Sequence, residues 1–163
     1  VVIHCTELPD LAMAREFGER IHYPDSATGN SGHFYIDRDG RAEEWVPIDR
    51  IAHHADVHNE RSVGIELVNR GRYPDWYDSR RQELTEPYPQ SQILSLVRLL
   101  TELEEALPSL TWVTGHEHLD QRLVAASDDP TRTVPRKRDP GPMFPWEEVL
   151  DQVTLRLFDI RQD

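Results

Sequence analysis

Apolar residues recur along the chain with two different periods, and the switches between them outline its elements. Val1 to Cys5 is a short, uninterrupted, β-branched run, the pattern of a buried strand. From Asp10 to Ile21 the spacing becomes helical through Leu11, Ala14, Phe17 and Ile21, with Asp10 placed to cap the start. A Gly/Ser/Asn loop over 25–32 leads to a predicted hairpin, His33–Asp37 and Ala42–Val46, turned at Asp37-Arg38-Asp39-Gly40. Ser62–Asn69 alternates as a strand, with Val63, Ile65 and Leu67 on one face and Ser62, Gly64, Glu66 and Val68 on the other. Arg70–Pro89 is polar, with aromatics and Pro, and reads as a long ordered loop. Gln90–Leu107 puts Ile93, Leu96, Val97, Leu100 and Leu103 on one helical face, and Leu110–Thr114 returns as a strand. A polar stretch follows to Pro142. Pro145 then opens a last helix, with Glu147 and Glu148 in its first turn and Trp146, Val149, Leu150, Val153 and Leu157 facing inward. Strands alternating with helices, plus one hairpin, predict an α/β fold: a single domain over 1–163 with a central mixed β-sheet flanked by helices.

Composition narrows the function classes. A chain of 163 residues suits one domain with one substantial core, and 37% hydrophobic residues with four Trp exclude a disordered segment. The net charge of −12 argues against a nucleic-acid surface, which needs cations to neutralise phosphates. Cys5 is the sole cysteine, so no internal disulfide can form, and no apolar run approaches the roughly 20 residues that span a bilayer. The chain opens without Met in the apolar run Val1-Val2-Ile3, a start that suits either a cleaved leader or a trimmed sequence, so the missing signal peptide bears on export neither way.

Candidate chemistry sits where predicted strands end, because ligands in such sheets bind beyond the strand termini. His4 lies near the end of the first strand, His116 just past Leu110–Thr114, and Asp139 in the loop Arg136-Lys137-Arg138-Asp139-Pro140-Gly141-Pro142. Two imidazoles and a carboxylate suit an open zinc site, although spacing alone gives no metal signature. A strand-end His more often serves as a hydrogen-bonded structural residue, and Asp before Pro-Gly is a common turn starter. Glu66 is harder to treat that way, because its strand neighbours are apolar or tiny and a carboxylate there needs a partner or a role. Gly64 on the same face leaves open space beside it, as a pocket floor would. Lys137 and Asp139, two apart, point the same way in an extended segment, as a site that develops negative charge would require; a solvated basic run is the plainer reading. Cys5, on the face opposite His4, reads as a small buried hydrophobe. No G-x-S-x-G elbow supports a conventional serine nucleophile.

Taken in order, these segments resemble the type 2 N-acetylmuramoyl-L-alanine amidases, the family that includes AmpD-like enzymes and the peptidoglycan recognition proteins. Val1-Val2-Ile3-His4 is similar to the opening strand with its first zinc His, and Ser31–Gly40 to the S-x-H-x-x-I-x-x-D-G hairpin. Ala52-His53-His54-Ala55 resembles W-H-A with His53 in place of Trp. Asn59 with Ser62–Leu67 resembles N-x-x-S-x-G-I-E-L, and Thr114-Gly115-His116 and Lys137–Pro142 resemble the closing T-G-H and K-x-D-P-G-P motifs. The resemblance implies one zinc ion held by His4, His116 and Asp139, Glu66 as catalytic acid/base, and Lys137 as transition-state stabiliser. It implies hydrolysis of the bond between N-acetylmuramic acid and L-alanine in peptidoglycan or muropeptides, by a monomer at the bacterial cell envelope, periplasmic rather than cytoplasmic. Candidates for substrate contact are His33, Tyr35, His54, Asn59 and Trp76, with Tyr73, Tyr77 and Tyr88 as further aromatics able to stack on sugars. The rival within the family is a peptidoglycan-binding module without catalysis. Residues 117–138 make a longer spacer between His116 and Asp139 than the family's compact pattern, and 117–135 is expected to arch over or beside the cleft as a solvated lip.

Overall fold

The structure, a computed structural model, describes residues 1–25 and 27–160. In chain order the strands are β1 (Val2–Cys5), β2 (Phe34–Ile36), β3 (Ala42–Glu44), β4 (Gly64–Leu67), β5 (Trp112–Gly115), β6 (Leu123–Ala125), β7 (Thr133–Pro135) and β8 (Arg156–Leu157). The helices are α1 (Leu11–Gly18), α2 (Gln90–Ala106), α3 (His116–Leu119) and α4 (Trp146–Leu150), with a 3-10 turn over Asp56–Arg61. A six-stranded mixed sheet in the order β3-β2-β4-β1-β5-β8 forms the centre, as expected for the fold class. β1 lies in its middle, paired in parallel with β4 and β5, and within this sheet, among the described residues, only the β2–β3 pair is antiparallel.

Strand alternation decides what each face does. Val1, Ile3 and Cys5 join Ile65, Leu67, Ile36 and Val113 in a core covered by Ile93, Leu96, Leu100 and Leu103 of α2. The period of 3.6 over α2 keeps these side chains on one stripe, while Gln92, buried beside them, donates from Nε2 to Ile36 O (2.8 Å) and Val68 O (3.1 Å). On the other face α1 packs Leu11 and Ala14 against Leu8, Tyr35 and Val68, capped by Asp10, whose carboxylate accepts from Met13 N at 2.8 Å. That second layer covers only part of the sheet. His4 and Glu66, paired in register on β1 and β4, point into the space it leaves.

Several expectations need correction. α1 stops at Gly18, so Ile21 lies beyond the helix and is 62% exposed instead of part of its apolar face. The last helix ends at Leu150; a turn then brings the chain back as edge strand β8, and Leu155, not Leu157, fills the core. The stretch 117–135 is not a plain lip. It carries α3 and the β6–β7 hairpin, with Ala126 and Val134 buried. The 70–89 segment is an ordered run of turns without helix or strand, as expected. Among the described residues no helix is long and apolar enough to cross a membrane.

Candidate active site

β1 brings His4 to the open face, α3 begins with His116 directly after β5, and the chain leaving β7 delivers Asp139. His4 Nδ1 lies 2.9 Å and His116 Nδ1 3.2 Å from Asp139 Oδ2, and one ligand atom from each residue falls within 4.8 Å of the others. All three are buried. Asp139 Oδ1 and His116 Nδ1 are buried yet make no hydrogen bond, the latter approaching Asp139 without the required alignment. Two orphaned buried atoms, His116 Nδ1 and Asp139 Oδ1, meeting beside the His4 imidazole fit a divalent metal such as zinc, which would satisfy both at once. Burial pushes His4 down to about 4, so its imidazole stays neutral, as ligation requires. For Asp139 burial acts the other way, but His116, His4 and Lys137 hold the carboxyl well below its ordinary range.

His54 completes the outer arrangement. Its Nδ1 lies 3.0 Å from His4 Nε2; with the His4 proton on Nε2, donated to His54, the Nδ1 lone pair faces His116 and Asp139. Burial and then the neighbouring His4 push His54 down to about 2, keeping it an acceptor. Asn59 Oδ1 accepts from the backbone N–H groups of His54 (3.0 Å) and Ala55 (2.7 Å) and fixes the turn that presents the ring. The space beside Gly64 is therefore not an open pocket floor. The His54 imidazole fills it, and a Cβ on Gly64 would lie 2.5 Å from His54 Cγ.

Glu66 faces the same cavity, which encloses about 540 Å³ and is also lined by Lys137, Tyr35, His54, Asn59, Trp76 and the three clustered residues. The Glu66 side chain opens partly onto this space, but surrounding protein removes most of its water. Burial, then the Asp139 carboxylate, raises Glu66 to about 8, against the opposing pull of Lys137. A carboxyl poised near neutrality can both accept and return a proton.

The structure gathers most, but not all, of the substrate candidates. Tyr35 lines the cavity but is stacked on Trp45 with ring centroids 3.6 Å apart, and its hydroxyl accepts from Gly32 N at 3.3 Å. Trp76 lines the cavity and donates from Nε1 to Glu7 O at 3.0 Å. His33 does not reach the cavity. Its Nδ1 accepts from Gly64 N (3.0 Å) and its Nε2 donates to Arg50 O (3.1 Å), so both nitrogens are spent on backbone. Tyr88 is also removed from the sugar-stacking set: it is buried against Phe144 and donates to Pro140 O at 2.7 Å. Tyr77 remains at the cavity wall. Sequence reasoning missed Tyr23 and His22, whose loop carries no periodic signal, and Glu7, an apparent surface acid that lines the inner wall.

Comparison with known proteins agrees with this geometry. The sequence profile of the N-acetylmuramoyl-L-alanine amidase family matches residues 1–142. The chain is 29% identical over 123 residues to the N-acetylmuramoyl-L-alanine amidase AmiD of Escherichia coli, covering 69% of this chain and 39% of that protein. It is 30% identical over 128 residues to the 1,6-anhydro-N-acetylmuramyl-L-alanine amidase AmpD of Enterobacter cloacae, covering 73% of this chain and 54% of that one. The chain thus spans about half the length of these relatives. The fold superposes on E. coli AmiD, solved with the substrate anhydro-N-acetylmuramic acid-L-Ala-D-gamma-Glu-L-Lys, with a TM-score of 0.68 at 24% identity, over 98% of this chain and 59% of that one. With the family profile running through every element that supplies the buried cluster, the chain belongs to the N-acetylmuramoyl-L-alanine amidase family.

Proposed function

We propose that this domain is a zinc-dependent amidase that cleaves the bond between N-acetylmuramic acid and L-alanine in peptidoglycan or in soluble muropeptides. The observation that carries the proposal is the meeting, in one cavity, of a buried ligand trio with orphaned donor atoms, a carboxyl raised to about 8 and a lysine. His4, His116 and Asp139 would hold the ion. Bound zinc would supply Lewis acidity, making water more acidic and polarising the amide carbonyl.

The remaining steps belong to the chain. Glu66 accepts the proton of the attacking water and returns it to the departing L-alanine nitrogen, a task suited to a carboxyl that burial raises to about 8. Lys137 faces the negative charge that grows on the carbonyl oxygen, where removal of such a donor commonly costs about 3–4 kcal/mol of barrier. His54 orients His4, and the cavity rim formed by Trp76 and Tyr77 offers apolar rings for a sugar face.

Incubation with intact sacculi and with soluble muropeptides, followed by mass analysis, tests the reading together with the metal content of the purified protein. About one zinc per chain and release of free peptide stems, reversibly blocked by a chelator, are expected. Full activity in excess chelator, or tight binding without any product, would overturn it; the second outcome is that of a recognition module.

A further inference from the structure

Three residues beyond His4 the chain turns out of β1 at Glu7, with φ of +50°. Arg72, from the loop after β4, meets the Glu7 carboxylate in a two-pronged contact: Nε to Oε1 at 2.7 Å and Nη2 to Oε2 at 2.8 Å. The Arg72 backbone N–H adds a third bond to Oε1 at 3.2 Å. Gly71 permits the approach, since a Cβ there would stand 2.6 Å from Glu7 Cγ. The pair is withdrawn from water, with side-chain exposures of 1% for Arg72 and 10% for Glu7. Such a pair gives little net stability over an apolar replacement of the same shape, so stability alone does not account for it.

The rest of the guanidinium points to what it does. Nη1 donates to Pro135 O at 2.9 Å and to Gln82 Oε1 at 3.2 Å, and Nη2 donates to Arg136 O at 3.3 Å. Pro135 and Arg136 are the two residues immediately before Lys137. We propose that the Glu7–Arg72 pair is a positioning device for Lys137, tying the strand that carries His4 to the segment that carries the lysine. The proposal rests on reading Lys137 as the cation that faces the reacting carbonyl.

Asp139, although only two residues further on, has its own anchors. Its carbonyl accepts from Glu117 N at 2.9 Å, Tyr88 holds Pro140 O, and Gly141 N donates to Glu117 Oε1 at 3.1 Å. The hairpin also keeps its course independently, through Arg136 N to Arg122 O at 2.8 Å. What Arg72 adds is the link between that segment and β1. A lysine on a flexible four-carbon stem cannot set its own position, so the backbone beneath it must be held. Loss of Arg72 should therefore displace Lys137 and leave the metal ligands where they are.

Two variants test this. Arg72→Lys keeps the charge but loses the fork; the double replacement Glu7→Met with Arg72→Met removes both charges and leaves none buried unpaired, so it serves if the single variant fails to fold. Zinc content and melting temperature are measured beside kcat and KM on an N-acetylmuramoyl-tripeptide, in the wild-type and Lys137→Ala backgrounds. The expected result is wild-type zinc content with kcat lowered about 10- to 100-fold and KM moved less than about threefold, because a misplacement near 1 Å acts on the transition state. In the Lys137→Ala background the same change should cost almost nothing further. Unchanged kcat in a folded variant, or an equal loss with and without the lysine, would overturn the proposal. If Lys137→Ala itself retains full turnover, the catalytic reading of Lys137 fails; crystals of the double variant then decide the positioning claim, which stands if the lysine has moved relative to His4 and falls if it has not.

Discussion

At the scale of single residues the proposed chemistry rests on Glu66, raised to about 8 by burial, and on the His4 imidazole opposite it on the neighbouring strand, which burial keeps neutral. Glu66→Gln keeps the shape and some hydrogen bonding of the side chain but can neither accept nor return a proton. We expect it to retain fold and zinc while turnover falls by about 10²–10⁴, the usual contribution of general acid–base catalysis. Near-normal turnover would make Glu66 a structural carboxylate. The histidines separate just as sharply. His116 offers an orphaned Nδ1 to the cluster with His4 and Asp139, whereas His118 Nδ1 accepts from Gly115 N at 3.2 Å and its ring packs on Trp146. His116→Ala should lose both zinc and activity. His118→Ala should keep the zinc and cost stability, on the order of 1–3 kcal/mol for a buried N–H left without its acceptor. Metal analysis and urea unfolding of the two purified variants would check both halves, and loss of zinc from the His118 variant would contradict the assignment.

At the scale of elements, the short helix α3 and the hairpin after it depend on Asp120, which closes α3 and binds two arginines. Arg122 donates to it from Nε and Nη2, both at 2.8 Å, and Arg136 Nη1 stands 3.0 Å away. The Arg122 hydrogen bonds, against an opposing contribution from burial and with help from Arg136, lower Asp120 to about 2. A carboxyl whose pKa is lower folded than unfolded gives stability that is present above the unfolded value of 3.8 and lost as pH falls towards 2. That shift corresponds to about 2 kcal/mol at most, reduced by water around the half-exposed Arg122. In metal-free protein, wild type should therefore be more stable than Asp120→Asn at pH 7, and the two should converge near pH 2. A constant difference across that range would place the effect elsewhere. The same elements show what a sequence can and cannot reveal. α2 is legible because its apolar stripe repeats over seventeen residues, long enough for a period of 3.6 to stand out. β6 and β7 are three residues each, largely exposed at their ends, and offer no comparable repeat. That His4, His116, Asp139, Glu66 and Lys137 share one cavity is anticipated through the ordered family motifs in which they lie, not through spacing, which gives no metal signature. Glu7 and Arg72 are not legible, since each looks like an ordinary surface charge until folding joins positions that are 65 apart. Gly64 misleads for a related reason: the absence of a side chain reads as open space, while its purpose is to admit the His54 ring.

The whole molecule assembles its cavity from β1, β4 and β5, whose parallel pairing sends their ends to one edge, and then adds a wall from two irregular segments. The 70–89 loop supplies Trp76 and Tyr77 to that wall, and the β6–β7 hairpin holds the loop from outside. Ser127 N donates to Tyr77 O at 2.9 Å, and Asp128 accepts from Ser79 N at 2.7 Å and Ser79 Oγ at 2.9 Å. The hairpin tip therefore touches Tyr77 of the cavity wall and its neighbour Ser79, while no hairpin residue is among those lining the cavity. Replacing residues 126–132 with an Asn-Gly turn would join β6 to β7 as a two-residue hairpin and remove those contacts. Asp128→Ala removes the Ser79 bonds and the Arg80 contact at 3.4 Å but leaves buried Ala126 in place, so it guards against an effect of lost packing. Loops held on a rigid scaffold carry specificity, and loosening this one should alter how the wall formed by Trp76 and Tyr77 receives the proposed substrate, not the proposed reaction itself. We expect both variants to keep zinc and to change the ratio of rates on intact sacculi and soluble muropeptides, with the shorter hairpin giving the larger change. An unchanged ratio in folded, zinc-loaded protein would mean that the hairpin supports the loop without shaping what the cavity accepts.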